Sequence, residues 1–349
     1  MPRSALTVVV SMLAVAAVAA TILVGRGGGA RAAPTRPDSR PAPGAVTLAF
    51  GGDVHFEGDV RATLLSRSRT VLGAMKPTLA QVDLAVVNLE TAVTDGGTPQ
   101  SKQYVFRAPA SAFDALRNGG VDVATMANNH GMDYGVQGLR DSLAAARKAR
   151  FPVIGIGLDD DQAYRPYRAT IRGDRIAVIA ATQVLDDQLI SAWTAGPQKP
   201  GLASAKTVPR LLRAVREARA SADTVVVFLH WGVELAGCPT HAQRRIAHQL
   251  VGAGADVVVG SHAHRLLGAG RLGGTFVDYG LGNFAWYSSS DVTSQTGVVL
   301  VTVRGRHVDG YRFVPAFIRG GSPYPLEREE RTAALRSWRQ LRTCTDLEP

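Results

Sequence analysis

The stretch Val46-Thr47-Leu48-Ala49-Phe50-Gly51-Gly52-Asp53-Val54-His55 decides how this chain is read: an apolar run, two glycines, then a carboxylate and an imidazole two residues apart. A short apolar run bounded by glycine is a candidate buried strand. The same pattern recurs along the chain. Leu84–Val87 leads into Asn88-Leu89-Glu90, Val121–Ala127 into Asn128-Asn129-His130, Thr224–Leu229 into His230-Trp231-Gly232, and Val257–Val259 into Gly260-Ser261-His262-Ala263-His264. Val153–Ile156, Ile176–Ala181, Thr275–Tyr279 and Gly297–Val303 complete a set of nine expected strands. Between them, Asp59–Met75, Ala110–Asn118, Val136–Arg150, Lys206–Ala220 and His241–Ala253 carry apolar residues at three- and four-residue intervals and are predicted helices. The first is expected to stop before Pro77, which disfavours helix in the residue ahead of it. Strands alternating with helices predict an α/β sandwich with a largely parallel or mixed sheet in one large domain.

In such sheets ligands bind at the carboxyl ends of the strands, where loops carry side chains into a crevice that the strands hold rigid. Five of the eight histidines, His55, His130, His230, His262 and His264, fall there, whereas His241, His248 and His307 receive no role. Residues two apart in an extended loop project to one side, so Asp53 with His55, or His262 with His264, present two donors toward one centre. Imidazole with carboxylate suits Zn, Mn, Fe or Ni. Gly51, Gly52, Gly260, Ser261 and Ala263 let the backbone approach closely. Each pair alone is a weak signal; their order, each after a strand, is the specific part.

A chain of 349 residues with 46% hydrophobic and 19% charged content excludes a disordered polymer and a wholly membrane-embedded protein. The formal charge of +10 suggests an anionic partner, but the arginines are spread along the whole length. No nucleic-acid motif or basic cluster with interleaved aromatics is visible, so nucleic acid is not an expected partner. Two cysteines, Cys238 and Cys344, exclude a thiolate zinc site, so His and carboxylate have to hold any metal.

Ser4 to Gly25 is free of charge, and its 20-residue apolar stretch Ala5–Val24 would reach about 30 Å as a helix, enough to span a bilayer core. Ala30-Arg31-Ala32 then offers an A-x-A cleavage pattern. Residues 1–33 are therefore expected to be a signal peptide or an N-terminal membrane anchor, and the chain exported in either case. The arginines after the segment outnumber Arg3 before it, which by itself argues for the opposite orientation, but the cleavage pattern and position suit a signal better. Residues 34–44 read as a Pro-rich linker. The main domain is expected over 45–320. Over 321–349 a docking segment is expected, its helix packing through Ala333, Leu335, Trp338 and Leu341. In an exported chain a Cys238–Cys344 bridge would tie this tail to the middle of the domain; two separate buried thiols are the alternative.

From about Leu48 to Phe284 the blocks resemble the calcineurin-like metallophosphoesterase superfamily, and within it the capsule synthesis protein CapA, or poly-γ-glutamate biosynthesis, branch. The superfamily orders its blocks as D-x-H, G-D-x-x-D, G-N-H, a lone His and G-H-x-H. Here they read Asp53-Val54-His55, a departure at Asn88-Leu89-Glu90, then Asn128-Asn129-His130, His230 and Ser261-His262-Ala263-His264. The N-L-E, A-N-N-H, H-W-G-x-E and G-S-H-A-H stretches, and Gly282-Asn283-Phe284, resemble the CapA branch.

The resemblance implies a calcineurin-like metallophosphatase fold of two mixed β-sheets flanked by helices, and a site for two divalent ions (Mn, Zn or Fe). One ion would take Asp53, His55 and His264 and the other Asn129, His230 and His262, with Glu90 bridging and His130 as the uncoordinated general acid. His55 restores a first-metal ligand that the branch often lacks. Candidates for contact with an anionic substrate are Asn88, Asn128, Lys102 and Arg107, the last two on what is otherwise a plain surface loop. Glu234 is another, or else a solvated loop carboxylate.

The implied function is an exported metal-dependent hydrolase of phosphoesterase type, acting on an anionic cell-envelope polymer or its phosphorylated precursor in capsule or poly-γ-glutamate synthesis. Membrane-bound synthase or export proteins are its implied partners. The alternative is a non-catalytic polymer-binding or assembly factor.

Overall fold

Each of the nine apolar runs contains a strand in the computed structural model, which describes residues 44–288 and 290–349. Two mixed sheets hold them, with helices on both outer faces, as expected for this fold class. In the first sheet Val46–Val54, Leu84–Leu89, Val123–Thr125 and Val153–Ile154 run parallel, while Gln295–Arg304, His307–Arg319 and Ser322–Pro325 add antiparallel strands on the other side of Val46–Val54. The second sheet has Asp174–Thr182, Thr224–His230, Val257–Ser261 and Thr275–Asp278 in parallel, with Tyr167–Ile171 and Ala269–Leu272 antiparallel at its edges. Parallel strands covered on both faces have to be apolar throughout, which is why they read as continuous runs.

Alternate residues of each strand serve different layers. Leu48, Phe50 and Val86 meet Val178, Val226, Phe228 and Val259 in a core between the sheets. Ala49, Ala85 and Val87 face outward and pack with Val60 and Leu64, Phe113 and Leu116, and Leu139 and Leu143. These come from the helices Gly58–Arg67, Ser111–Asn118 and Gly135–Ala149. On the outer face of the second sheet, Ile179, Val225 and Val227 pack with Leu211 and Val215 of Val208–Arg219 and with Ile246 and Leu250 of His241–Ala253.

Three features depart from the sequence reading. The single helix expected over Asp59–Met75 ends at Arg67 and gives way to a 3-10 turn, Ser68–Thr70. A separate short helix, Lys76–Leu79, then holds Pro77 in its first turn, where a missing N–H costs nothing because that group has no intrahelical acceptor. The long strand His307–Arg319 was not expected: its first half is largely polar, and its apolar run Phe313–Ile318 carries Pro315, which argues against a strand from sequence alone.

Residues 1–33 and the linker up to residue 43 lie outside the described residues; among those described, no helix is long and apolar enough to cross a membrane. In the last 29 residues, Ser322–Pro325 pairs with Ala316–Arg319 and the helix Arg328–Gln340 follows. Trp338 stacks on Phe313 with centroids 4.9 Å apart, and Leu335 and Leu341 pack on the same core, whereas Ala333 is exposed. Cys344 is bonded to Cys238 with Cα atoms 5.8 Å apart. Closing a loop of 106 residues is expected to stabilise the fold by about 2–4 kcal/mol. Cys344→Ser should accordingly lower the unfolding free energy by that order in non-reducing urea titrations. Two alkylatable thiols in the non-reduced wild type would contradict the bridge.

Asp278 lies at the end of the last parallel strand of the second sheet. Its Oδ1 accepts the Gly280 N–H at 2.9 Å, while Oδ2 is buried with no hydrogen-bond partner. Burial pushes its carboxyl from the ordinary 3.8 up to about 7. Between those values the folded chain holds a proton that the unfolded chain has lost, so the group's contribution to stability falls as pH rises through the window. Asp278→Asn is expected to be more stable than wild type at pH 8 and to lose the advantage near pH 4. A constant difference across that range would contradict this origin.

Candidate metal centre

The strand ends bring the expected polar residues together. Asp53 lies near the end of Val46–Val54, where the chain presses on Gly282: a Cβ on Gly52 would sit 1.8 Å from the Gly282 carbonyl oxygen, and the Asp53 N–H donates to that oxygen at 2.9 Å. Gly260 is required for a similar reason, since a Cβ there would meet Trp231 Nε1 at 2.0 Å. The Asp53 side chain is fully buried. Its Oδ1 accepts from Asn88 Nδ2 at 2.8 Å, and its Oδ2 accepts the His262 N–H at 3.0 Å and lies 3.5 Å from His264 Nδ1.

Among the described residues, two groups bring three ligand atoms within 4.8 Å of one another: Asp53, Glu90 and His230, and Glu90, His262 and His264. Glu90 belongs to both. Asn129 joins the first group, its Oδ1 lying 2.7 Å from His230 Nε2. His262 and His264 converge by a different route from the extended loop expected. Both have left-handed backbone, φ 94° and 53°, and their rings lie 5.7 Å apart. Non-glycine residues adopt such angles at a cost of about 1–3 kcal/mol, met only where the surroundings over-determine them.

His55 is in neither group. Its ring stacks on Trp286 at 3.9 Å, and its Nε2 accepts the Tyr287 N–H at 3.1 Å, leaving Nδ1 buried without a partner. His130 stands beside the cluster, its Nε2 3.9 Å from Glu90 Oε1. Asp133, which sequence reading missed, lies 2.6 Å from His130 Nδ1 and also accepts from Lys102 Nζ and the Phe106 N–H. The signal was an acid three residues beyond the histidine. The Phe106 ring, also missed, stacks on His130 at 4.1 Å.

The substrate candidates divide. Asn88 and Asn128 are fully buried and spent on the protein: Asn88 Oδ1 accepts from Thr125 and Asn128, and Asn128 also bonds the Leu89 carbonyl and the His130 N–H. They position the loops and have no group left for a substrate. Lys102 turns inward to Asp133 and the Asn129 carbonyl. Arg107 is exposed, its guanidinium over the Tyr134 ring, outside the cluster. Glu234 is exposed, yet its charge is felt by His230 and His264.

Electrostatics favour neutral imidazoles. Burial lowers His230 to about 3 and holds His55, His130 and His262 well below the usual value. Burial also pulls on His264, but Glu90, Asp53 and the Asn283 hydrogen bond outweigh it and raise its pKa. Burial, and then the neighbouring Asp53, push Glu90 well above the carboxylate range. Burial likewise lifts Asp133 to about 7 against Lys102 and the Phe106 N–H. Glu90 Oε1 and His262 Nδ1 are buried without hydrogen-bond partners. Orphaned donor atoms, neutral imidazoles and converging carboxylates are what a divalent ion binds, so these residues fit such a group.

Two mixed sheets closing on His, carboxylate and amide side chains define an α/β sandwich with a candidate metal centre at the strand ends. The chain belongs to the bacterial capsule synthesis protein family PGA_cap, whose family model matches residues 47–288. It is 27% identical over 297 residues to the PGA biosynthesis protein CapA of Bacillus subtilis, covering 81% of this chain and 74% of that one. It is 29% identical over 246 residues to the capsule biosynthesis protein CapA of Bacillus anthracis, covering 69% and 58%. Among solved structures it is similar to a hypothetical protein from Thermus thermophilus, with TM-score 0.50 and 19% identity over 81% of this chain and 99% of that one.

Asn88→Ala strips Asp53 of its donor and leaves the Thr125 hydroxyl and an Asn128 amide proton without their buried acceptor. The expected loss is about 1–3 kcal/mol of unfolding free energy in urea titrations. The exposed Glu234→Ala should stay within about 0.5 kcal/mol of wild type.

Proposed function

We propose that this protein is an exported metal-dependent hydrolase of phosphoesterase type, acting in capsule or poly-γ-glutamate synthesis on an anionic envelope polymer or its phosphorylated precursor. The observation that carries it is the sharing of Glu90 between two clusters of buried ligand atoms with orphaned donors. Asp53, His264, Asn129, His230 and His262 would hold two divalent ions, with Glu90 between them. His55 would join only by giving up the contact its Nε2 makes with the Tyr287 N–H or by turning its free Nδ1 inward. When bound, such ions stabilise charge on the attacking and leaving oxygens of a phosphoryl displacement.

The chain's own groups do the rest. Asp53 bonds Asn88 through one oxygen and the His262 N–H through the other, so it holds the ligand loops of both sheets in register. Asp133 orients the His130 ring through Nδ1, leaving Nε2 as the atom that holds or releases a proton on the Glu90 side. Phe106 and Trp286 cover the rings of His130 and His55 and exclude water from that flank. Residues 5–24 support export, as a signal or an anchor. The names of the relatives support the polymer as partner, together with the membrane-bound proteins that make or export it.

Metal content after dialysis near neutral pH, and hydrolysis of bis-p-nitrophenyl phosphate with Mn²⁺ or Zn²⁺, test the reading. Asp53→Asn is expected to lose metal. His130→Ala should keep it while hydrolysis falls by about 10²–10⁴-fold. No bound metal in the wild type, with rates unchanged in both variants, would reject the hydrolase; full complementation in cells by His130→Ala would favour the assembly factor.

A further inference from the structure

Away from the metal centre, a groove of about 550 Å³ opens between the helix Arg328–Gln340 and the strands His307–Arg319 and Ala269–Leu272. Arg271, Arg312, Arg331, Arg339 and Arg342 line it, and among the described residues no Asp or Glu side chain does. None of the five has a carboxylate within ion-pairing distance among the described residues, although elsewhere in the chain Arg117, Arg172, Arg210 and Arg219 are paired.

The groove is built rather than a chance gathering of surface charge. Its floor is Trp338 stacked on Phe313, and Arg342 is held by the Tyr311 hydroxyl at 3.2 Å and the Ala269 carbonyl at 3.3 Å. Arg271 is held by the Val308 carbonyl at 3.0 Å. Arg331, Leu335, Trp338 and Arg342 fall at spacings of four, three and four residues, one face of the helical segment. Arg331 and Arg342 are thereby about 16 Å apart along its axis.

The groove lies at the opposite end of the sandwich from the site. Tyr311 pairs with Val301, and Val301 with Leu48, five residues before Asp53, which is about 16 Å of strand.

We infer that this groove is a second binding site, for a strand of a polycarboxylate polymer. Guanidinium is always charged and meets carboxylates with two parallel hydrogen bonds. A concave row of them fits repeating carboxylates on a flexible chain better than it fits a flat bilayer. The aromatic rings that line the groove, Tyr311, Phe313 and Trp338, are buried or half-buried against one another, which leaves little open face for nucleobases to stack on. The choice of polymer rests on the function proposed above; the groove's location and charge do not. It holds polymer at a point remote from the chemistry.

Binding of poly-γ-glutamate to the full chain at low salt tests this. Arg312, Arg331 and Arg339 are exposed, so reversing them should leave the melting temperature and the hydrolysis of a small phosphodiester unchanged. The Arg312→Glu/Arg331→Glu/Arg339→Glu variant is expected to raise Kd by about tenfold or more, and the matching glutamine variant by less. Asp53→Asn should bind polymer as wild type does. Unchanged binding by the charge-reversed protein overturns the groove and leaves the hydrolase standing. Tighter binding of phosphatidylglycerol vesicles than of polymer, lost in the same variant, overturns it in favour of a membrane contact. If the wild type binds no polymer, the groove and the polymer part of the proposed function fall together, while phosphodiester hydrolysis still reports on the metal centre.

Discussion

The Asp53 carboxylate is the tie on which the geometry of the strand ends depends. One oxygen takes a hydrogen bond from Asn88, on the neighbouring strand of its own sheet, and the other takes the N–H of His262, which directly follows the strand Val257–Ser261 of the opposite sheet. A fully buried carboxylate without such partners would be costly. Satisfying it sets the relative height of the two sheets and of the loops that carry Glu90, Asn129, His230 and the His262–His264 pair. Gly52 makes this possible, because any side chain there would collide with the Gly282 carbonyl and push Asp53 out of reach.

Around that tie the site is organised in two tiers. An inner set of carboxylate and imidazole atoms converges with two of them, Glu90 Oε1 and His262 Nδ1, unpartnered. An outer set of amides and hydroxyls, Asn88, Thr125, Asn128, Ser261 and Asn283, is spent on orienting it. The low dielectric that keeps most of the histidines neutral would be a liability in a structural core, where an orphaned donor simply costs stability. In a ligand cluster it keeps lone pairs available.

Charge is arranged on a larger scale as well. The +10 balance looked diffuse in the sequence, with arginines throughout. Folding gathers five of them from the edge strand Ala269–Leu272, the long strand His307–Arg319 and the C-terminal segment into one groove that no acidic side chain lines among the described residues. The residues come from positions up to 71 apart, so no window of sequence could display them as a cluster. The Cys238–Cys344 bond and the stacking of Trp338 on Phe313 hold the wall that carries three of the five.

The sequence by itself determined the parallel strands and the residues at their ends, because a strand buried on both faces must be apolar and a ligand loop must then begin abruptly with polar side chains. It also determined most of the helices, through the spacing of residues such as Leu211, Val215 and Ala218. The antiparallel strand His307–Arg319 was not legible in that way, because its first half is largely polar and Pro315 breaks its apolar run Phe313–Ile318. Only the tertiary structure decided that Asn88 and Asn128 are scaffold, that His55 stands against Trp286 outside both ligand groups, and that Asp133 serves His130. Each of those roles depends on which atoms lie within hydrogen-bonding distance once the sheets pack, a relation that spacing along the chain does not encode.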